Sequence, residues 1–366
     1  MTSTRGFLWA LCAFSVGCRP AATATATAPL PPLTAAAPSP GAPAVHAAVT
    51  CQHSLDAVAL PGASAPLSLD YLFYEPGRAR VWVPAAGTGR VAVFDLATQS
   101  FTSVDGFRTA EHAAHGTTRV LGPSSGTIGE GYAYIGDRAS HEVCAVDLQS
   151  LRKGACLPLS APPDGVVYVA QTHEVWVTAP SIKSVLILAA SSAGTLTQQA
   201  AIALSGEPEG YAIDARAGRF LTNLEDANQT LSIDIAARQV KDTWSATCNE
   251  DGPRGIAIDA PSEVALVACT DHVQALDLAH QGKPLGQLEC GPGLDNIDYD
   301  AATRLLYAAS GKAARLTVAR LGSDGTFTTT ERCETAPGAR NAVTDGKGNA
   351  YIADAQGARL LRARTP

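Results

Sequence analysis

From residue 210 the chain repeats one pattern of apolar and polar positions. GYAIDARAGRFLTNLEDANQTLSIDIAAR, residues 210–238, and GIAIDAPSEVALVACTDHVQALDLAH, residues 255–280, share one layout. Each runs through a small residue, three apolar residues, Asp, a turn, an apolar run, a polar break and a second run closing on Asp and an apolar residue. Short apolar runs bounded by turn residues predict strands rather than helices. The residue ending the first strand of each unit is Glu75 in YLFYEPGRARVWVP, Ala170 in VVYVAQTHEVWVTA, and then Asp214, Asp259, Asp300 and Asp345. The steps between these positions are 95, 44, 45, 41 and 45 residues. The first step is two periods long, and a degenerate unit, GTIGEGYAYIGDRASHEVCAVDLQS, lies inside it. Seven units of about 45 residues, each with room for four short strands, predict an all-β, seven-bladed β-propeller of four-stranded antiparallel blades. Alternation such as Val91, Val93 and Val185, Ile187 in the third strands gives the apolar faces that stacked blades need. The last unit, 341–366, has chain for three strands only, so the fourth is expected from the segment TCQHSLDAVALPG near the N-terminal side, closing the ring without a free edge.

The runs FLTN, WVTA and YIAD, and the third-strand endings VAVFDLAT, VCAVDLQS, LSIDIAAR and VQALDLAH, resemble the YVTN repeats of bacterial surface and periplasmic propellers. ARNAVTDGKGNAYIADAQGARL is similar to an NHL repeat. The resemblance covers nearly all of residues 70–365. It implies the fold and leaves the activity open, because propellers of this kind include binding proteins, adhesins, lactonases and lyases. Asp214, Asp259, Asp300 and Asp345 are expected to be turn residues, since a feature of the repeat is first a feature of folding.

The N-terminus breaks the repeat. MTSTRG, with Arg5, precedes the apolar run FLWALCAFSV and then Gly17 and Cys18, the layout of a secretory signal. SVGC resembles the lipobox of bacterial lipoproteins, which implies lipidation of Cys18. Ser15 stands where that family has an aliphatic residue, so plain signal cleavage stays open beside it. Arg19, in place of Asp, implies by the same resemblance the outer rather than the inner membrane. Residues 19–48 are almost all Ala, Pro and Thr and predict an extended tether, leaving residues 49–366 for the propeller.

Composition fits this division: 33 Gly, 23 Pro and a single Met suit strands and turns, and 46% hydrophobic with 17% charged residues suits a globular core. A formal charge of −7 with no basic cluster in the folded part argues against nucleic acid as a partner. In an exported chain the cysteines read as disulfides. With Cys12 in the signal and Cys18 carrying lipid, seven remain, so at least one is unpaired. Cys144 and Cys156 flank a hairpin turn and are expected to pair. Cys248 and Cys269 end strands on one face of the propeller, and Cys290 and Cys333 hold equivalent positions before neighbouring units, giving two further expected pairs. A Cys metal site is not expected, as no CxxC pair or nearby His completes one.

Residues just before each innermost strand ring the mouth of a propeller's channel. Here they are Asp164, Glu209, Arg254, Asp295 with Asn296, and Arg340 with Asn341. Arg254 and Arg340 can neutralise neighbouring carboxylates, in a solvated network or around a polar ligand. The alternative is a divalent cation such as Ca²⁺ held by carboxylates and Asn carbonyls. Propeller lactonases of the gluconolactonase type use Glu, Asn and Asp at this place, which implies a hydrolase or lyase; two arginines depart from their pattern. His112 and His115 in EHAAH could share a metal on a helical turn but read first as a solvated loop insertion; Asp271 and His272 in CTDH, expected in a loop on the channel face, could serve acid–base chemistry, though two adjacent loop residues say little; and Asn228 lies in a glycosylation sequon that carries little in a bacterial-looking chain. HExxH and phosphate-cradling loops are absent from the sequence. The expectation is an exported, lipid-anchored propeller that binds an envelope protein or a small polar ligand without a cofactor, with a metal-dependent lactonase or lyase as the alternative.

Overall fold

The computed structural model describes residues 49–114, 117–249 and 251–364. The signal segment, the tether, Cys18 and His115 lie outside the described residues. Among the described residues no helix is long and apolar enough to cross a membrane.

Seven four-stranded antiparallel sheets succeed one another along the chain. Blade 1 spans 73–104, blade 2 123–158, blade 3 166–203, blade 4 208–245, blade 5 256–289 and blade 6 294–334; blade 7 combines 339–364 with a strand from the beginning of the domain. In each blade the first strand is innermost. The middle strands read as unbroken apolar runs because both of their faces are covered: every residue of Glu174–Ala179 and of Val264–Ala268 is buried. Outer strands alternate instead, as Ser100–Val104 does with Phe101 and Ser103 turned partly inward.

What holds the ring is blade against blade. Seven hydrophobic clusters are found, one at each junction: Trp176, Ile187 and Val169 of blade 3 meet Phe220 and Ile233 of blade 4, and Leu221 and Trp244 of blade 4 meet Val267 and Leu276 of blade 5. The last cluster joins blade 7 to blade 1 through Tyr351, Ala353, Leu360, Val81 and Phe94. Around the axis the inner strands are also joined by hydrogen bonds at every junction. Tyr71 N–H donates to Ser124 O (3.0 Å), Tyr168 N–H to Thr127 Oγ1 (3.0 Å), the Tyr211 hydroxyl to Val166 O (3.0 Å) and Gly210 N–H to Arg254 O (3.2 Å). Gly255 N–H then donates to Asp295 O (2.9 Å), Asn296 N–H to Asn341 Oδ1 (3.0 Å) and Asn341 Nδ2 to Asp70 O (2.9 Å). Two glycines make this approach possible. A Cβ on Gly210 would lie 2.5 Å from Arg254 O, and one on Gly255 2.5 Å from Asn296 Oδ1 and 2.9 Å from Asp295 O.

The repeated aspartates shape turns. Asp214 accepts from Ala217 N–H and pairs with Arg219, Asp300 accepts from Ala302 N–H and the Thr303 hydroxyl, and Asp345 accepts from the backbone of Lys347 and Asn349. Asp259 pairs with Arg304 of the next blade. Asp95, Asp147, Asp234 and Asp277, which end the third strands, cap the following turns in the same way. These side chains sit away from the channel mouth, and their recurrence is a property of folding.

The ring closes as the repeat count requires: Ser54–Ala59 pairs antiparallel with Arg359–Arg364, from Ser54 opposite Arg364 to Ala59 opposite Arg359. The expected Cys144–Cys156 and Cys248–Cys269 bridges are present, the first between directly opposed residues of neighbouring strands. The expected Cys290–Cys333 bridge is not. Cys333 bonds Cys51, and Cys290 is a buried free thiol. Equivalence between blades is what misled: Cys290 packs in the cluster between blades 5 and 6, Cys333 in the one between blades 6 and 7, so the sheet of blade 6 separates them. Burial first of all pushes the Cys290 thiol up to about 12, which leaves it uncharged and inert.

The Cys51–Cys333 bridge belongs to a wider clasp. Glu331 Oε2 accepts from Gln52 N–H (2.7 Å) and His53 N–H (3.0 Å) and meets His53 Nδ1 at 2.8 Å, while His53 Nε2 meets Gly348 O at 2.8 Å. Burial pushes the Glu331 carboxyl up, but the His53 ring and these two backbone N–H groups outweigh it and hold the group below its ordinary value.

Two outcomes are expected. The sequence separations of 282 and 12 residues imply, on chain-entropy grounds, about 5 kcal/mol for Cys51–Cys333 and about 3 kcal/mol for Cys144–Cys156. Replacing both cysteines of the first pair therefore lowers the denaturant midpoint more than replacing both of the second; the reverse order would mean that the clasp does not close the ring. A carboxyl with a depressed folded-state pKa contributes stability above its unfolded value, near 4, that is lost as pH falls through the folded value. Melting scans between pH 5 and 2.5 should show a smaller acid loss in Glu331→Gln than in the parent.

Candidate functional site

One end of the channel is a charged mouth of about 470 Å³, lined by Asp164, Glu209, Arg254, Asp295 and Arg340 among the expected residues. Below it a throat of about 420 Å³ is lined by Tyr71, Phe73, Tyr211, Ile256, Ile297 and Asp298, and it is here that Asn296 and Asn341 lie. The expected ring is therefore split between two levels. Local backbone geometry explains the split. The innermost strands Pro208–Asp214, Leu294–Asp300 and Ala339–Thr344 each carry a register shift at their first residues, between Pro208 and Tyr211, between Leu294 and Ile297, and between Arg340 and Ala342. Such bulges re-aim successive side chains. At the third, Asn341 takes a φ of +62°, a conformation that Asn tolerates better than most residues.

Asn341 is 1% exposed and both ends of its amide are engaged, Nδ2 with Asp70 O and Oδ1 with Asn296 N–H. It ties blade 6 through blade 7 to blade 1. Asn223, the last residue of FLTN, acts likewise: its Nδ2 donates to Arg254 O (2.7 Å) and Gly255 O (3.1 Å), which sets Arg254 at the mouth.

The mouth holds residues that the position before each first strand did not reveal. Asp70 enters blade 1 at the equivalent place, so extending the rule to that first unit would have found it. Arg138 and Glu225 come from the connections between second and third strands of blades 2 and 4. His112 and Arg119 come from a two-stranded hairpin, Ala110–Ala114 with Thr117–Leu121, inserted between blades 1 and 2, where they stand directly opposite one another. His112 is thus on a strand rather than a helical turn, and His115 lies outside the described residues.

Most of these charges are spent on each other. Arg138 pairs with Asp70 (2.7 Å) and with Asp164, Arg254 pairs with Glu225, and Arg340 pairs with Asp295 (3.1 Å). Burial alone would push Asp70 up, yet Arg138 and Arg340 outweigh it and hold the carboxyl below its ordinary value. Glu209 differs: among the described residues its carboxyl makes no ion pair or hydrogen bond. Burial, then repulsion from Asp295, Asp70 and Glu225, pushes it up to about 8 against the opposing pull of Arg138. At pH 7 it is mostly neutral. Among the described residues Arg119 likewise makes no direct ion pair, although its charge acts on Asp70.

Glu209 sits at the junction of mouth and throat. Its backbone carbonyl faces the Tyr71 hydroxyl at 3.5 Å, the same hydroxyl lies 3.4 Å from Asp164 Oδ2, and Tyr211, two residues along, stacks on Tyr71 with ring centres 5.7 Å apart. Deeper in, Asp298 accepts from Thr344 N–H (2.7 Å) and Tyr299 N–H (2.9 Å); burial pushes it up to about 6 despite both bonds.

No three His, Cys, Asp or Glu ligand atoms converge at the mouth among the described residues; the two clusters that do converge each contain a disulfide. Asp271 and His272 form a tight turn, with His272 Nδ1 2.6 Å from Asp271 Oδ1 and the turn's carbonyls accepting from Cys290, Gly291, Gly293 and Leu294. They line neither mouth nor throat and hold the loop beside the Cys248–Cys269 bridge.

The raised Glu209 carboxyl has a consequence for stability. A folded state that holds its proton up to about pH 8, while the unfolded chain releases it near 4, binds more protons than the unfolded state across that window, so stability falls as pH rises. Melting temperatures measured from pH 5 to 9 should decline more steeply for the parent than for Glu209→Gln, the two lying close at pH 5 and the variant being the more stable at pH 9. Parallel curves would mean that Glu209 is ionised and compensated.

No family model matches the chain and no curated protein does, so the YVTN and NHL likeness stays one of repeat pattern. Solved structures do match. A chain of the mitotic checkpoint complex superposes with a TM-score of 0.67 at 14% identity over 91% of this chain and 99% of its own. Hydrazine synthase of Kuenenia stuttgartiensis gives 0.65 at 14% identity over 84% and 99%. Virginiamycin B lyase of Staphylococcus aureus gives 0.65 at 10% identity over 84% and 98%. At these identities the likeness establishes the propeller fold and nothing further.

Proposed function

We propose that this protein is an exported, lipid-anchored propeller that works as a binding module at the bacterial cell envelope. In this reading the channel mouth holds a small polar ligand or a polar segment of an envelope protein. The pairing pattern at the mouth carries the proposal: Asp70, Asp164, Glu225 and Asp295 are each held by an arginine, leaving a polar, preformed cavity in which, among the described residues, the Glu209 carboxyl alone is uncommitted. Three disulfides imply an oxidising compartment, which supports export. Lipidation at Cys18, with residues 19–48 as the tether, would anchor the propeller to the membrane, the outer one by the lipobox resemblance.

The second reading is a metal-dependent lactonase or lyase acting at the same mouth. Its support is that a propeller of similar fold is a virginiamycin B lyase, and that Glu209 has the raised pKa of a group suited to proton transfer. A hard divalent cation, however, takes six to eight oxygen ligands, and here it would have to displace three arginines from four carboxylates. Binding therefore takes precedence over metal chemistry.

Two measurements test the proposal. Metabolic labelling with palmitate should mark the parent and leave Cys18→Ala unmarked; an unmarked parent removes the anchor. Calcium or magnesium at millimolar concentration should move the melting temperature of the oxidised protein by less than about 1 °C, with no reversal by EDTA, whereas a shift of several degrees that EDTA reverses would restore the metal-dependent reading.

A further inference from the structure

We propose that the junction of mouth and throat is a subsite for an organic ammonium group, with Glu209 as its counter-ion and the aromatic throat taking the body that carries the amine. The inference rests on the reading of the mouth as a binding site and names the ligand class.

The argument starts from charge balance. The groups facing Glu209 are Asp70 from the entry to blade 1, Arg119 and His112 from the hairpin, and Arg138 and Asp164 from blades 2 and 3. Glu225 and Arg254 face it from blades 4 and 5, and Asp295 and Arg340 from blades 6 and 7. With Glu209 protonated, the four arginines among the described lining residues stand against the four carboxylates Asp70, Asp164, Glu225 and Asp295, so these formal charges cancel. Exchanging the Glu209 proton for a ligand monocation keeps that balance. A ligand anion would break it, and a divalent ion would overshoot it.

Geometry supplies the rest. Glu209 opens onto the mouth, while Tyr211 on the same strand, and Tyr71, whose hydroxyl faces the Glu209 carbonyl, open onto the throat. Tyr71 and Tyr211 stack on one another, ring centres 5.7 Å apart, so what they offer a cation beside the carboxylate is the Tyr71 hydroxyl oxygen, 3.5 Å from the Glu209 carbonyl, with the apolar wall beyond it. Beyond them Phe73, Ile256 and Ile297 line a space of about 420 Å³, room for an aromatic or branched aliphatic body. A primary ammonium has three donors for one carboxylate and the nearby Tyr71 and Asp164 oxygens. Among the described residues every other carboxylate lining the mouth is paired with an arginine.

Binding must release a proton wherever Glu209 is protonated beforehand, so affinity rises with pH and levels off once the free carboxyl is ionised. The probe set is 2-phenylethylamine, with 2-phenylethanol and 3-phenylpropionate as carriers of the same ring with no charge and the opposite charge. Titration calorimetry on the oxidised full chain should find binding of the amine that tightens about tenfold from pH 6 to pH 7 and levels off above pH 8. Buffers of different ionisation enthalpy should report about one proton released per amine at pH 6.5. Glu209→Gln, with an unchanged circular dichroism spectrum, should lose at least tenfold in affinity at pH 8 and lose the pH dependence.

Equal binding of the alcohol and the amine, or binding that Glu209→Gln leaves unchanged, would overturn the proposal. Binding of 3-phenylpropionate alone, weakened by Arg119→Ala, would overturn the ammonium assignment while leaving the mouth a binding site. Absence of binding by all three at 10 mM, a concentration on the order of the weakest useful small-ligand affinities, would overturn the ammonium assignment. The wider reading would then rest on the envelope experiments alone.

Discussion

Ring closure is the constraint on which everything else rests. A four-stranded blade with two apolar faces has no stable existence alone, and each of the seven junction clusters exists only because a neighbour covers it. Six junctions follow from chain order; the seventh must bring the two ends of the domain together. Ser54–Ala59 completes blade 7, Cys51 is bonded to Cys333 of blade 6, and Glu331 gathers two backbone N–H groups and the His53 ring at the same place. The clasp thus joins the incoming chain to two blades at once, and the disulfide with the longest loop sits where an open ring would lose most.

Closure also explains why the functional residues converge. Asp70, Asp164, Glu209, Arg254, Asp295 and Arg340 are spread over 270 residues of sequence, yet each enters an innermost strand from the same side. Hydrogen bonds at every inner junction fix the strands at a common level, and the close approach of Gly210 and Gly255 to the next backbone leaves no slack between blades 4, 5 and 6. A charged mouth assembled this way is rigid before any ligand arrives. Its arginine–carboxylate pairs hold one another's geometry, which keeps the ordering cost of binding low.

Much of this was legible in the sequence, and the unread parts have physical causes. A period of about 45 residues with four apolar runs is a property of every blade, so the repeat declared the fold, the closing strand and the turn aspartates. The rule that residues before the first strand reach the channel located five mouth residues, but it assumes an ideal blade entry. Bulges at Gly210, Asn296 and Asn341 insert an extra residue there, and a bulge has no signature in a single sequence. Arg138 and Glu225 arrive from the connections after second strands, and Arg119 from an insertion with no counterpart in other units. The cysteines make the same point: Cys144 and Cys156 are strand neighbours and could be paired locally, whereas the partner of Cys333 lies 282 residues away and is reached only through closure.

The singular position of Glu209 follows from the odd number of carboxylates in a mouth that pairs its charges. Arg138 serves two acids, Arg254 and Arg340 one each, and the fifth carboxyl is left facing Asp295, Asp70 and Glu225, with burial and these three carboxylates outweighing the attraction of Arg138 and Arg340. Burying such a group unpaired costs stability whenever it is charged, so its natural resting state is protonated. Among the described residues the Glu209 carboxyl makes no hydrogen bond that holds a junction, unlike the side chains of Asn223 and Asn341. A residue that weakens the folded state at alkaline pH and supports no neighbour is best explained by what enters the channel, and a proton that a cation can replace is the form in which the mouth stores that capacity.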